Sequence, residues 1–276
     1  FVFRPGHFKA DGFDTNRYTY TYTDSGGTKN DFDVITDFNT RAGEQDVFTV
    51  LSGGRVEIVL ANNWVASSAN SNAGWVSLVS NGFTVDLRAV KSPDTGGSGM
   101  YRIESVGAAT TLMGSKFSDV LISGTGLDTL QGGMGDDIYI VNSLDDRVVE
   151  GAGQGTDTVR TALSYSLADL INVENLTLTG SGAVNATGNA RGNTLTGNDA
   201  ANILNGGVGA DTMVGGRGDD VFYVDEAGDV VIDSSVLVRN TVTGLLEEVG
   251  GIDTVNSTIS YTLAQSLDSL NLAGTR

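Results

Sequence analysis

The chain has 276 residues, 34 Asp and Glu against 16 Lys and Arg, a formal net charge of −18 and no cysteine. Such acidity repels phosphate backbones and anionic bilayers, excluding nucleic acid and charged membranes as partners, and the missing cysteines exclude disulfides and thiolate metal sites. With 38 glycines and two prolines, no long helix-periodic run and no apolar stretch long enough to span a bilayer, the composition suits tight turns joined by short strands.

Residues 1–110 read as an irregular β flank. The opening Phe1–Gly6 is similar to IYIVNS after Asp137 and to VFYVDE after Asp220, so the chain is expected to start just past another repeat block. Tyr18, Tyr20 and Tyr22 alternate with threonines, which predicts a strand with one aromatic face, buried against a neighbouring sheet rather than free to grip a sugar. Asn62–Gly74, the Asn/Ser/Ala-rich stretch around Trp64 and before Trp75, reads as a loop. Phe83–Leu87 and Tyr101–Val106 lead into the first run of repeats.

From Gly114 the chain repeats every nine residues. GSKFSDVLI, SGTGLDTLQ, GGMGDDIYI and VNSLDDRVV run to Val149; GNARGNTLT, GNDAANILN, GGVGADTMV, GGRGDDVFY and VDEAGDVVI run from Gly188 to Ile232. The sixth places hold Asp119, Asp128, Asp137, Asp146, Asn193, Asn202, Asp211, Asp220 and Asp229. The eighth places are apolar throughout: Leu121, Leu130, Tyr139, Val148, Leu195, Leu204, Met213, Phe222 and Val231. A glycine-rich run of about six residues curls into a turn, and the last three form a short strand whose middle side chain points inward. Two units complete one coil of a flattened solenoid, so units n and n+2 stack at roughly 4.8 Å. That sets Asp119 beside Asp137, Asp128 beside Asp146, Asn193 beside Asp211, Asn202 beside Asp220, and Asp211 beside Asp229.

Carboxylates about 5 Å apart repel by roughly 3 kcal/mol at an effective dielectric near 20. A column of them therefore calls for a cation between the turns. Carboxylates plus glycine-turn carbonyls form an oxygen-only donor set that suits calcium rather than zinc or copper. The expected carbonyl donors are Gly124, Gly126, Gly133, Gly135, Gly207, Gly209, Gly216 and Gly218. The competing reading, aspartates that only bond their own turns, fits one such turn better than nine in register.

The segments after each block correspond to one another. Thr156–Leu167 (TDTVRTALSYSL) matches Ile252–Leu263 (IDTVNSTISYTL), and Val173–Gly180 matches Leu267–Gly274. Their alternation is strand-like, predicting wider, calcium-free coils of the same solenoid. Glu150 with Asp157, and Asp233 with Asp253, are expected to close the last ion site of each block. The insertion Ser234–Val249 predicts an extra strand or a short helix.

GGMGDDIYI, GGVGADTMV and GGRGDDVFY match the G-G-x-G-x-D-x-U-x nonapeptide, and on them the chain resembles the RTX (repeat-in-toxin) family. The other units depart from it, with Phe117, Leu144, Arg191, Ala200 and Ala227 replacing the fourth-place glycine, and the neutral Asn193 and Asn202 imply weaker sites. Asp31–Gly54, with Asp33, Asp37 and Asp46, is similar to the region after the catalytic domain of serralysin-type metalloproteases. The resemblance implies an all-β, right-handed parallel β-roll or β-helix solenoid with several calcium ions in its turns. The expected divisions are the flank 1–110, a first RTX block 111–150, a connector 151–187, a second block 188–233 and a second, truncated connector 234–276.

The single histidine, His7, and the absence of HExxH leave no imidazole-based catalytic apparatus, so the chain is expected not to be an enzyme. The resemblance implies a secreted, extracellular segment of a bacterial RTX surface protein (adhesin, S-layer or matrix component) that folds on calcium after export. Self-association or binding to cell-surface polysaccharide goes with that reading. The alternative is a C-terminal secretion and folding module of an exported RTX enzyme, such as a metalloprotease or polysaccharide-acting enzyme.

Overall fold

A computed structural model describes residues 57–60, 63–66, 76–90, 100–233, 251–264 and 266–273 with their side chains. The strands at 8–10, 19–22, 33–35, 47–50, 55–56, 71–72, 75, 237–239 and 246–248 are described by backbone alone. The described residues are all-β, and the chain divides into two compact units, Phe1–Thr156 and Asp157–Arg276.

In the first unit the chain winds between two parallel sheets as a β-solenoid. One sheet contains Asp33–Ile35, Arg55–Val59, Trp75–Ser80, Tyr101–Ser105, Val120–Ile122 and Ile138–Val141. The other contains Trp64–Val65, Val85–Asp86, Thr111–Met113, Thr129–Gln131 and Arg147–Val149. Register holds the inward residues in columns: Ile58, Leu78, Ile103, Leu121 and Tyr139 on one side, Trp64, Val85, Leu112, Leu130 and Val148 on the other. Every one of these is at most 4% exposed. In a parallel sheet each column member packs on the next at the strand spacing, so a run of apolar side chains two units apart builds a continuous core.

The irregular flank thus coils in the same way as the repeats from Arg55 onward. Its sequence hides this because the steps between strands vary in length. The loop expected over Asn62–Gly74 is not one: Trp64–Val65 and Ser71–Asn72 are strands. Trp64 is buried, Val65 is exposed and Ala66 is buried, an alternation masked by the polar composition around it. A separate sheet pairs Phe8–Ala10 antiparallel with Thr19–Tyr22, which runs parallel to Val47–Val50. Phe1–Gly6, His7, Asp37, Asp46 and the side chains of Asp33, Tyr20, Tyr22 and Trp75 lie outside the described residues, as does Tyr18.

The second unit is a solenoid too. Thr158–Thr161, Asn175–Leu178, Thr194–Thr196, Thr212–Val214 and Val230–Ile232 form one parallel sheet. Tyr165–Ser166, Ala186–Thr187, Ile203–Asn205, Val221–Val224, Thr254–Ser257 and Ser269–Leu272 form the other. Their buried columns are Val159, Leu176, Leu195, Met213 and Val231, and Ala186, Leu204, Phe222 and Val255. The connector coil keeps parallel register with its neighbours, stepping 17 and 19 residues on one sheet (Thr158 to Asn175, Asn175 to Thr194) and 21 on the other (Tyr165 to Ala186), against 18 for a repeat pair. Its edge is filled by buried Leu167 and Val173 instead of carboxylates. The insertion holds two strands, Leu237–Arg239 and Leu246–Glu248, paired antiparallel as a hairpin.

Candidate metal centre

Each sixth-place residue ends the glycine turn and immediately precedes its strand, so its side chain folds back under the turn. All nine are buried. One carboxylate oxygen of each coil accepts the backbone N–H of the sixth residue one coil earlier. Asp137 Oδ1 takes Asp119 N–H at 2.7 Å, Asp146 Oδ1 takes Asp128 N–H at 3.0 Å, Asp211 Oδ1 takes Asn193 N–H at 2.7 Å, Asp220 Oδ1 takes Asn202 N–H at 2.7 Å and Asp229 Oδ1 takes Asp211 N–H at 3.0 Å. The stacking expected from the period is therefore a ladder of amide-to-carboxylate bonds.

The second oxygen separates the units into two kinds. In the degenerate units it is used within its own turn. Asp119 Oδ2 accepts Ser115 N–H at 2.6 Å, Asp128 Oδ2 accepts Gly124 N–H at 2.8 Å, Asp146 Oδ2 accepts Ser143 N–H at 3.2 Å, and Asp229 Oδ2 accepts Asp225 N–H at 3.0 Å. In the full-consensus units of Asp211 and Asp220, Oδ2 is buried and has no hydrogen-bond partner. A buried carboxylate oxygen without a donor costs free energy unless a cation meets it.

First-place glycines make room for that oxygen. A Cβ at Gly132 would stand 2.1 Å from Asp137 Oδ2, at Gly206 2.2 Å from Asp211 Oδ2, and at Gly215 2.4 Å from Asp220 Oδ2. These glycines were missed as site residues in the sequence; the GG pair at the head of each consensus unit was the available signal. Second- and fourth-place glycines of the same units, Gly133, Gly135, Gly207, Gly209, Gly216 and Gly218, have φ between 85° and 130°, which only glycine adopts freely. Gly124 and Gly126 belong to a degenerate unit and are not in that conformation.

Asn193 and Asn202 keep the fold of the site and change its charge. Asn193 Oδ1 accepts Asn189 N–H at 2.7 Å while Nδ2 donates to the carbonyls of Val173 and Glu174 at 3.4 and 3.2 Å. Asn202 Nδ2 donates to Val184 O at 2.7 Å. Their amide hydrogens thus meet backbone carbonyls of the connector, where the carboxylates of the other units have no hydrogen to offer. Asp157 is buried in the second unit, its N–H donating to Glu174 Oε2 at 2.8 Å and its carbonyl accepting Asn175 N–H at 2.9 Å. Asp253 Oδ1 accepts Asp220 N–H at 2.8 Å. In the first unit the Tyr139 hydroxyl donates to Glu150 and accepts Gly132 N–H.

Burial dominates the electrostatics. It raises Asp119 to about 7 against the bonds from Ser115 and Tyr101, and Asp211 to about 6 against the bond from Asn193. It raises Asp220 and Asp253 to about 7, helped by neighbouring Asp233. Carboxyls held near neutrality in this way are short of positive charge.

A family model described as the RTX calcium-binding nonapeptide repeat matches four copies, over residues 111–148 and 187–222. The two blocks are therefore calcium-binding RTX repeats. The chain is 40% identical over 111 residues to endo-1,3-1,4-beta-glycanase ExsH of Rhizobium meliloti (strain 1021), covering 40% of this chain and 23% of that protein. It is 38% identical over 86 residues to endo-1,3-1,4-beta-glycanase EglC of the same organism, covering 31% of this chain and 18% of that protein. The chain thus spans less than a quarter of the length of either relative. No solved structure matches it.

Proposed function

We propose that a chain carrying four RTX calcium-binding copies serves as a structural module of an exported bacterial protein, folding when it meets extracellular calcium. The observation that carries this is the pair of buried, undonated oxygens on Asp211 and Asp220. Asp137, Asp211 and Asp220 hold the ions, together with carbonyls of their second- and fourth-place glycines. Asp119, Asp128, Asp146 and Asp229 shape the neighbouring turns and bind more weakly, and Asn193 and Asn202 need no ion. In a calcium-poor interior the carboxylates remain uncompensated and the coils open. Outside, calcium saturates sites of about 10⁻⁴ to 10⁻³ M affinity, and binding becomes folding free energy.

Two settings suit such a module. In a surface protein (adhesin, S-layer or matrix component) the solenoid itself is the product. In the other it is joined to an enzyme, and the similarity to two proteins named as endo-1,3-1,4-beta-glycanases favours this setting, with a 1,3-1,4-β-linked glycan as the substrate of the whole protein. Circular dichroism through a calcium titration of chelator-treated protein tests the module: strand signal should rise with calcium, and unchanged strand content in excess EGTA would sink the reading. Release of reducing sugar from mixed-linkage β-glucan by the full-length protein, against calcium-driven assembly into sheets or filaments, separates the settings.

A further inference from the structure

The two repeat blocks end on corresponding residues at the same spacing, with one chemical difference. Gly132, Tyr139 and Glu150 in the first block stand where Gly215, Phe222 and Asp233 stand in the second. The eighth-place aromatic is fully buried in both, at 0% exposure. In both its tip reaches the first-place glycine: a Cβ on Gly132 would be 2.4 Å from the Tyr139 hydroxyl oxygen, and one on Gly215 would be 2.7 Å from Phe222 Cζ. Only the tyrosine has a hydrogen to donate there.

That hydroxyl joins two segments. At Gly114, Gly188, Gly197 and Gly215 the first-place N–H donates to a backbone carbonyl one coil later, that of Gln131, Asn205, Val214 and Ile232 in turn. At Gly132 it donates to the Tyr139 hydroxyl oxygen at 2.8 Å, and the hydroxyl donates its own hydrogen to Glu150 Oε2. Glu150 Oε1 accepts Gly151 N–H at 3.0 Å. Both oxygens of Glu150 thus have a donor, and hydrogen bonds to a carboxylate are stronger than those between neutral groups.

The sixth-place carboxylates differ between the blocks in the same sense. Asp119, Asp128 and Asp146 of the first block spend their second oxygen on turn N–H groups. Asp211 and Asp220 of the second block keep theirs buried without a donor. With no cation present, the second block therefore holds the larger share of uncompensated buried charge.

We infer that the two blocks fold at different calcium concentrations, and that Tyr139 sets the difference by holding Glu150 in a hydrogen bond and out of any ion's ligand shell. Tyr139 is a positioning residue: it acts through Glu150 and Gly132 and closes the end of its block from within. The first block orders at the lower calcium concentration and the second at the higher, so the chain folds in two steps as calcium rises.

Because this rests on the reading that calcium folds the chain, the experiment follows both. Hydrogen exchange read by mass spectrometry on the full chain, stepped from EGTA to saturating calcium, follows peptides over Gly132–Glu150 and Gly215–Asp233. The first should reach half its protection at about tenfold less calcium than the second, the size of effect one charge-assisted hydrogen bond supports. Tyr139→Phe should move the first block towards the second and leave the second where it is. Its loss of protection should shrink at saturating calcium, because Glu150 is then free to meet an ion. Glu150→Gln keeps an acceptor for the hydroxyl and should bind as many ions as the parent in native mass spectrometry. Equal midpoints in the parent, an equal loss at every calcium concentration in Tyr139→Phe, or one ion fewer in Glu150→Gln overturns the inference. Should Tyr139→Phe not fold, the parent midpoints and Glu150→Gln decide. If neither block gains protection with calcium, the broader reading fails instead.

Discussion

Replacing Asp211 by Asn should reverse its effect on stability with calcium. The carboxamide keeps Oδ1 as the acceptor of Asn193 N–H and puts NH₂ where Oδ2 is now buried without a donor. It copies what Asn193 and Asn202 already do at the same place in their own units. Burial raises Asp211 from 3.8 to about 6, which at about 1.4 kcal/mol per pK unit gives a penalty for the charged form of up to about 3 kcal/mol. Solvent reaching the turn cuts that to about 2 kcal/mol. Without calcium at pH 7.5, Asp211→Asn should therefore be more stable than the parent by about 2 kcal/mol. With calcium a hundredfold above Kd, the parent regains about 2.7 kcal/mol at this site and becomes the more stable of the two. Urea unfolding followed by circular dichroism at stepped calcium concentrations reads both ends. It also gives the dependence of stability on ln[calcium], which should fall by one ion in the variant. Equal destabilisation with and without calcium would make Asp211 a packing residue and refute its assignment as an ion ligand.

Two further outcomes come from the same geometry. In calcium-free buffer, acid should replace the ion: the folded values of Asp119, Asp220 and Asp253 near 7 and Asp211 near 6 lie above the unfolded value of 3.8. Their contribution is thus fully present below about pH 4 and lost as pH rises through 6 to 7; strand signal that does not increase between pH 8 and pH 5 contradicts this. Gly218→Ala forces a side chain into φ 104° with its Cβ 2.6 Å from the Ala200 carbonyl carbon, and should cost at least about 1–2 kcal/mol in calorimetry even at saturating calcium, whereas Gly182→Ala, with open space around it, should change little.

Periodicity made the repeat region legible down to single atoms. The eighth-place residues are the inward columns and the sixth-place residues are the stacked, buried oxygen-bearing side chains, because a coil of two nine-residue units leaves each side chain only one direction to face. What stayed hidden had no fixed step. Trp64 and Val85 occupy the same column as Leu130, but the chain between them varies in length, so no period marks them. The two uses of the second carboxylate oxygen follow the split between consensus and degenerate units, but the pattern alone did not say that the difference lies in whether the turn presents an N–H to it. Asp119 lies in a degenerate unit and Asp211 in a consensus one, and in space Ser115 N–H is what separates them. The hairpin at Leu237–Arg239 and Leu246–Glu248 was ambiguous because an isolated short apolar run carries no period of its own.

The amide-to-carboxylate ladder has a polarity. In every rung the donor is the earlier coil and the acceptor is the later one, as with Asp119 to Asp137, Asn193 to Asp211 and Asp220 to Asp253. A coil therefore satisfies its own buried N–H only once its successor has closed over it. Each turn's ladder is completed by the turn after it, so trimming the two ends is not equivalent. Removing residues from the leading end leaves carboxylate oxygens without their donors, whereas removing the trailing end leaves amide N–H groups without their acceptors.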